Sequence, residues 1–376
     1  MAMKNKIVFC DLAAQQARIS SEIDAAIARV LSHGQYIMGP EVRELEQALA
    51  GFTGAQHVIS CSSGTDALLL VLMARDIGPG DAVFVPAFTF ISTAEVVALT
   101  GAVPVFVDVN PETCLMDTES LQQALSGIIH QGQLRPTAII PVDLFGQPAD
   151  YPAIHDIALR YNLFVLADAA QGFGATLDGI PVGKMAAATA TSFFPSKPLG
   201  CYGDGGAIFT DDGDLAACIE SLRIHGKGTD KYDNVRVGMN GRLDTLQAAI
   251  LVEKLKIFAD ELQRRDQVAA RYREGLEGDV ILPCIQSRAT SAWAQYTIRI
   301  ADREKLMGHL KSAGVPVAVY YPKPLHMQTA YLSCPRAGEH LENAERLSGE
   351  VLSLPMHPYL QPEQQDYIID SILKGL

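Results

Sequence analysis

The chain has 376 residues, of which 48% are hydrophobic and 19% are charged, and it contains 31 glycines. This size and composition are typical of a folded α/β enzyme with room for two domains, and they exclude a disordered or fibrous protein. The formal net charge of −13 argues against nucleic acid or an anionic membrane as partner, since both require basic patches on a protein.

The cysteines and histidines indicate the redox state of the chain and whether it has a metal site. Seven cysteines are scattered without a C-x-x-C pair, which predicts reduced thiols and argues against a disulfide framework or a zinc site. The nine histidines contain no H-E-x-x-H motif and no cluster at ligand spacing, so no metal is expected. The sequence has no basic and apolar leader and no apolar run long enough for a bilayer, which predicts a cytoplasmic protein.

Short β-rich runs alternate with helical patterns through the middle of the chain. Predicted strands, several of them apolar almost throughout, lie at 82–86, 103–109, 137–146, 163–170, 189–194 and 205–210. Predicted helices lie near 65–76, 92–99, 118–126 and 150–161. This order predicts an α/β fold with a mixed, mostly parallel central sheet flanked by helices.

A long amphipathic helix is predicted from Asp244 onward, because apolar residues recur at helical spacing as far as Leu262. After Gly278, predicted strands at 295–301 and 315–322 mix with helices. We therefore predict a large α/β domain over residues 15–260. Residues 261–376, together with 1–14, are predicted to form a small α+β domain.

The stretch "SFFPSKPLGCYGDGGAIFT" (192–210) places Lys197 in a turn stiffened by Pro195 and Pro198. No Walker-type G-x-x-x-x-G-K-[ST] loop surrounds this lysine, and the G-x-G-x-x-G dinucleotide signature is absent. Taken alone, Lys197 would be an ordinary surface lysine in a polar turn.

Three further features accompany Lys197. Asp168 ends an apolar strand, where a side chain points into the ligand crevice of α/β proteins, although a helix-capping role is equally ordinary. Gly64 and Thr65 directly precede a predicted helix, which makes an anion site or a simple N-cap. Phe90 follows a strand and could present its ring to a planar ligand or lie in the core.

One cofactor uses all of these features together. Pyridoxal 5′-phosphate needs a lysine amine, a carboxylate for its ring nitrogen and a cup for its phosphate, and a stacked aromatic commonly accompanies them. The carboxylate keeps the ring nitrogen protonated, and the lysine also moves the proton during transamination. The sequence therefore predicts a pyridoxal phosphate enzyme.

With those residues in view, the chain resembles the DegT/DnrJ/EryC1/StrS family of sugar aminotransferases. The resemblance covers nearly the whole chain and implies the fold type I architecture of pyridoxal phosphate enzymes. It runs through "GQYIMGPEVRELE", "SSGTDALLL", "PGDAVFVPAFTFIST", "GAVPVFVDV", "IIPVDLFGQPAD", "ADAAQGFGA", "SFFPSKPLGCYGDGGAIFT", "GMNGRLDTLQAAIL" and "YYPKPLHMQ".

The resemblance also implies roles at the cofactor. Lys197 would be the Schiff-base lysine, Asp168 would pair with the ring nitrogen, and Gln171 would lie near the phenolic oxygen. Phe90 would stack on the ring. The phosphate would be held by Gly64, Thr65 and Ser192, joined by Asn240 from a second subunit. A site shared in this way implies a homodimer.

The substrate residues implied by the resemblance are Tyr36, Arg242, Tyr321 and His326. Arg242 would meet the acidic part of a sugar nucleotide. The family's substrate loop is usually H-Y-P-x-P-L-H, and here Tyr320 replaces the first histidine. That departure puts the sugar contacts of the loop in question.

Within the family, the strongest likeness is to aminotransferases that act on UDP-linked 3-keto-N-acetylglucosaminuronic acid with L-glutamate as donor, for O-antigen synthesis. Three alternatives stay open at this point. A 4-keto-6-deoxy or 3-keto-6-deoxy sugar nucleotide could be the substrate. A sugar dehydratase on the same scaffold would have its lysine replaced, typically by histidine, which Lys197 argues against. A non-catalytic regulatory relative would have lost cofactor residues, and none is lost.

Overall fold

The computed structural model describes residues 7–230 and 232–376. Its helices are α1 (Leu12–Arg18), α2 (Ser20–His33), α3 (Pro40–Thr53), α4 (Gly64–Ala74), α5 (Ser92–Leu99), α6 (Thr118–Gln131), α7 (Tyr151–Tyr161), α8 (Gly213–Arg223), α9 (Thr245–Leu276), α10 (Arg303–Ser312), α11 (Glu342–Glu350) and α12 (Pro362–Gly375). Its strands are β1 (His57–Cys61), β2 (Asp81–Pro86), β3 (Val103–Val107), β4 (Arg135–Ile139), β5 (Phe164–Asp168), β6 (Thr176–Leu177), β7 (Ile180–Pro181), β8 (Ala188–Ser192), β9 (Gly206–Thr210), β10 (Tyr296–Arg299) and β11 (Val351–Leu354).

Seven strands form the central sheet in the order β1-β9-β8-β5-β4-β2-β3. Strand β9 is antiparallel to both of its neighbours, and the pairs from β8 through β5, β4 and β2 to β3 are parallel. The prediction of a mixed, mostly parallel sheet is therefore confirmed. Strand β1 was not predicted from the sequence. It has only five residues, and the polar His57 and Ser60 interrupt its apolar run.

The sheet is stable because both of its faces are covered. Every residue of β2 is buried, and helices α4, α5 and α6 pack against the central strands. Each fully buried aliphatic or aromatic side chain contributes about 1.5–3 kcal/mol relative to an exposed one. This explains why the strands read as continuous apolar runs and why the carboxyl ends of parallel strands are held firmly at one edge.

A second hydrophobic cluster lies apart from the sheet. It joins the carboxyl-terminal half of α9 to β10, β11, α10 and α12, with Tyr272 and Tyr296 at its centre. Helix α9 runs without interruption through residue 260, and its first half packs on α2 and α3, with Phe258 in a cluster that also includes residues of β1 and β9. The division into residues 15–260 and 261–376 stays a prediction.

Two predicted strands differ from the structure. The strand predicted at 137–146 ends at Ile139, because the chain turns there and forms a short 3-10 helix at Leu144–Gly146. The strand predicted at 315–322 is wrong, since only Ala318 pairs, with Ser353 of β11. Pro316 and Pro322 supply no N–H donor for a longer ladder.

Among the described residues, no helix combines the length and apolar character needed to cross a bilayer. Nor do His, Cys, Asp and Glu side chains of residues 7–230 and 232–376 form a group of three or more that could hold a metal ion.

Candidate active site

A cavity of about 460 Å³ opens where β5 and β8 end and α4 begins. This is the carboxyl edge of the parallel strands, where α/β proteins bind their ligands. Eight of the twelve residues predicted from the sequence line it: Gly64, Thr65, Phe90, Asp168, Gln171, Ser192, Lys197 and Tyr321. The fold therefore brings together side chains that are up to 257 positions apart along the chain, taking Gly64 and Tyr321 as the two ends.

The start of α4 forms one wall of the cavity. Gly64 packs so closely on Ser192 that a Cβ at position 64 would lie 2.6 Å from the Ser192 Cβ. Thr65 Oγ1 lies 2.8 Å from the hydroxyl of Ser92, the first residue of α5. Two helix amino termini and three hydroxyl groups thus converge, and their N–H and O–H groups suit a phosphate.

Asp168 is almost fully buried at the end of β5. Its Oδ2 accepts a 2.7 Å hydrogen bond from the hydroxyl of Thr93, and its Oδ1 accepts a 3.2 Å bond from the Ala170 N–H. Burial raises the pKa of this carboxyl, and the two hydrogen bonds and the charge of Lys197 oppose the rise. The carboxylate is therefore held in one orientation and faces a partner cation across the cavity.

Lys197 lies on a tight turn that begins after β8. Its backbone N–H donates to the carbonyl of Phe194 at 2.8 Å, and Pro195 and Pro198 restrict the backbone on either side. Burial lowers the pKa of the Lys197 amine, against the opposing charge of Asp168. A lowered pKa increases the fraction of unprotonated amine, the form that acts as nucleophile and base.

Gln171 and Tyr321 form a short hydrogen-bond chain on the cavity wall. The Phe145 N–H donates to Gln171 Oε1 at 2.7 Å, and Gln171 Nε2 donates to the Tyr321 hydroxyl at 3.2 Å. Burial raises the pKa of Tyr321 well above its ordinary value, so the phenol stays protonated. Phe90 is 53% exposed, and the centre of its ring lies 6.1 Å from the centre of the Tyr321 ring. It offers an uncovered ring face to the cavity.

Four predicted residues do not line the cavity. Asn240 and Arg242 are bonded to each other, Arg242 Nε to Asn240 Oδ1 at 2.9 Å. Tyr36 is 47% exposed, and its backbone carbonyl accepts from the Thr245 N–H. His326 is buried, and its Nε2 lies 3.1 Å from Glu345 Oε1. Its role at the substrate stays a prediction.

Several cavity residues were not identified from the sequence. Ser92, two residues after Phe90, lines the cavity, and Thr93, three residues after Phe90, lies behind it on Asp168. Tyr320, noted from the sequence only as a departure from the substrate-loop motif, also lines the cavity. Gln295 also lines the cavity, and one buried oxygen of its amide has no hydrogen-bond partner among the described residues. No local signal marks Gln295, because its neighbours at the site come from other parts of the chain.

The sequence profile of the DegT/DnrJ/EryC1/StrS aminotransferase family matches residues 17–373. The chain belongs to this family. The resemblance predicted from the sequence is thereby confirmed.

Relatives of this aminotransferase match over almost their whole length. The UDP-2-acetamido-2-deoxy-3-oxo-D-glucuronate aminotransferase of Pseudomonas aeruginosa is 51% identical over 94% of this chain and 96% of its own. A solved DegT DnrJ EryC1 StrS aminotransferase from Brucella abortus is 52% identical, with a TM-score of 0.97 over 98% of this chain and 99% of its own. The ntda structure from Bacillus subtilis with bound cofactor PMP is 32% identical, with a TM-score of 0.90 over 99% of this chain and 86% of its own.

The cavity of this aminotransferase fits a pyridoxal cofactor on its own geometry. The Gly64–Ser192 contact leaves the α4 amino terminus open to a phosphate at one end of the cavity. The buried Asp168 carboxylate suits a protonated ring nitrogen, and the Phe90 ring suits a flat face. Lys197 completes the set, because its amine faces the same cavity and makes no hydrogen bond within the described residues.

Proposed function

We propose that this aminotransferase uses pyridoxal 5′-phosphate to move an amino group from L-glutamate to the 3-keto group of UDP-linked N-acetylglucosaminuronic acid. The observation that carries the proposal is the pairing of Lys197 and Asp168 across one cavity. The 51% identity to the Pseudomonas aeruginosa enzyme supports the choice of sugar. The product would serve O-antigen synthesis, and the seven free cysteines support a reducing, cytoplasmic setting.

Each cavity residue has a separate task in this proposal. Lys197 would hold the cofactor through its Nζ, Asp168 would hold the ring nitrogen, and Phe90 would cover one ring face. The phosphate would lie against Gly64, Thr65 and Ser192. When bound, pyridoxal phosphate supplies an electron-accepting ring that stabilises negative charge on the adjacent carbon.

The chain's own groups then control proton transfer. The Lys197 amine, whose pKa is lowered by burial, takes a proton from the amino donor and returns one to the keto-sugar carbon. Asp168 keeps the proton on the ring nitrogen, because a buried carboxylate stabilises the positive form. Gln171 and Tyr321 hold the cavity wall by their hydrogen bond and exclude water on that side.

A second copy of the chain is proposed to complete the site. Among the described cavity residues, Lys197 is the single cation, beside the carboxylates of Asp168 and Asp204. A diphosphate, a uronate and glutamate all carry negative charge that one lysine cannot balance. Asn240 and Arg242, which lie outside this chain's cavity, are the donors we assign to the partner's site. Tyr36 and its apolar neighbours at 37–38 are exposed in the single chain. Such an exposed apolar surface supports a contact between subunits at residues 36–38.

Mixed subunits test the shared site. Lys197→Ala and the double variant Asn240→Ala/Arg242→Ala should each be nearly inactive as pure proteins. After random subunit exchange, about a quarter of wild-type activity should return, because half of the dimers are mixed and one of their two sites is intact. Mass spectrometry of the native complexes confirms the exchange. If mixed dimers form without recovery, Asn240 and Arg242 act within their own chain and the shared site is wrong.

A panel of keto-sugar nucleotides tests the substrate. We expect enzyme and glutamate to aminate the UDP-linked 3-keto uronate, with the product identified by mass and NMR. Arg242→Gln should raise KM for the uronate about tenfold to hundredfold, the value of a hydrogen bond to a charged group. For the matched UDP-3-keto-N-acetylglucosamine, which lacks the carboxylate, KM should change less than about twofold. Preferred turnover of a 4-keto-6-deoxy or 3-keto-6-deoxy sugar would contradict the uronate assignment.

A further inference from the structure

A charged side chain lies directly beneath the Lys197 turn, outside the cavity. Lys254 on α9 is only 1% exposed. Its ammonium donates a 2.7 Å hydrogen bond to the carbonyl of Gly200 and lies 4.2 Å from the centre of the Tyr202 ring. Both contacts are with the segment that follows Lys197.

This buried charge is energetically unfavourable in isolation. Burial lowers the pKa of Lys254 to about 8, and the negative charge of Glu261 opposes the change. A methionine would fill nearly the same volume without a desolvation penalty. The hydrogen bond to the Gly200 carbonyl is therefore the interaction that a methionine could not make, and it partly compensates the cost of burying the ammonium.

Other contacts also hold the segment after Lys197, including a 2.8 Å hydrogen bond from the Tyr202 N–H to Gln247 Oε1 of α9. Among the described residues, Lys254 alone donates to the Gly200 carbonyl. The Lys197 N–H bonds to Phe194 O and the Cys201 N–H bonds to Phe193 O, each at 2.8 Å. Gly200 lies so close to the start of the turn that a Cβ there would be 2.6 Å from the carbonyl oxygen of Pro195. Moving Gly200 would consequently move the backbone that carries the Lys197 side chain.

We propose that Lys254 is a positioning residue for Lys197, whose buried ammonium holds the Gly200 carbonyl and thereby aims the Lys197 amine into the cavity. This inference rests on the proposed function, in which Lys197 holds the cofactor. It assigns a second lysine to the reaction that touches neither cofactor nor substrate. Misplacement of a reacting group by about 1 Å can reduce turnover about a hundredfold, so an anchor beneath the turn has catalytic consequences.

Lys254→Met tests the proposal in the full-length protein, as purified and after addition of pyridoxal phosphate. Hydrogen exchange of the peptide covering 193–201 should become at least about tenfold faster, because opening of this turn costs less free energy. Exchange in β5 should not change. The fraction of Lys197 trapped with pyridoxal phosphate by borohydride, read by mass, should fall, and kcat should fall about tenfold to hundredfold with KM within about twofold.

The matched control is Lys256→Met, the same replacement two residues along α9. The Lys256 side chain is 62% exposed and pairs with Glu253. It should leave exchange of the turn, trapping and kcat at wild-type values. Unchanged exchange and trapping in Lys254→Met would overturn the proposal.

A second variant covers failure to fold. Lys254→Gln is smaller, uncharged and one atom shorter than lysine. If neither Lys254 variant folds, the residue supports the whole domain and the positioning proposal is wrong. If wild-type protein takes up no pyridoxal phosphate, the proposed function fails, whereas the exchange measurement still decides whether Lys254 holds the turn.

Discussion

Lys197→Ala should abolish turnover and leave the protein folded. The Lys197 amine makes no hydrogen bond within the described residues, and its pKa is lowered because burial disfavours its charge. Removing it therefore costs the folded state little or stabilises it slightly. Loss of a positioned acid–base group reduces rates by about 10²- to 10⁴-fold, and in the proposed function this residue also holds the cofactor, so we expect a loss at the upper end of that range or more.

The measurement combines single-turnover kinetics with cofactor binding. Lys197→Ala should still bind pyridoxamine phosphate, since the phosphate cup, Asp168 and Phe90 are unchanged, but borohydride should no longer attach pyridoxal phosphate to the chain. Lys184→Ala is the control, because that lysine lies outside the cavity in a surface ion pair with Asp211. Normal turnover in Lys197→Ala would refute the central role of this amine.

Asp168→Asn should lower kcat by about 10²- to 10³-fold, the usual effect of removing one preorganised electrostatic partner. An asparagine can still accept from the Ala170 N–H, and its amide can donate to the Thr93 hydroxyl, so the fold should survive. What is lost is the negative charge that, in the proposed function, would keep a proton on the ring nitrogen. Affinity for pyridoxamine phosphate should weaken with the rate.

The control for this charge is Asp108→Asn. Asp108 also follows a parallel strand and accepts three backbone N–H bonds, from Val109, Asn343 and Ala344, but it lies outside the cavity. Its variant should lose stability and keep kcat. Equal kinetic losses in the two variants would mean that Asp168 acts through the fold alone.

Substitutions of Thr93 test Asp168 more mildly, because they remove a hydrogen bond to its carboxylate and leave the charge in place. Its hydroxyl donates the 2.7 Å bond to Asp168 Oδ2, and a hydrogen bond to a charged group is worth about 1.5–3 kcal/mol. Thr93→Val should therefore reduce kcat about tenfold to hundredfold, and Thr93→Ser should restore it. Recovery in the serine variant separates the hydroxyl from the effect of side-chain shape.

Local patterns were sufficient for several features of this protein. The alternating strands and helices follow from apolar runs that must be covered on both faces, and the structure confirms the resulting sheet. The Lys197 turn could be located from the sequence, because Pro195 and Pro198 restrict their own backbone angles whatever the rest of the fold is. The strand at 315–322 was predicted wrongly for the opposite reason, since apolar composition says nothing about whether a partner strand is present.

The amino-acid sequence by itself determined the architecture and the family and predicted the reactive lysine and acid, because those depend on periodicity and on motifs that are contiguous in the chain. Only the tertiary structure decided which groups support them. Thr93 reaches Asp168 across 75 positions, Lys254 reaches Gly200 across 54, and His326 turns inward to Glu345. Such contacts arise from packing between distant elements, and no local pattern encodes the position of a neighbour that the chain reaches only after folding.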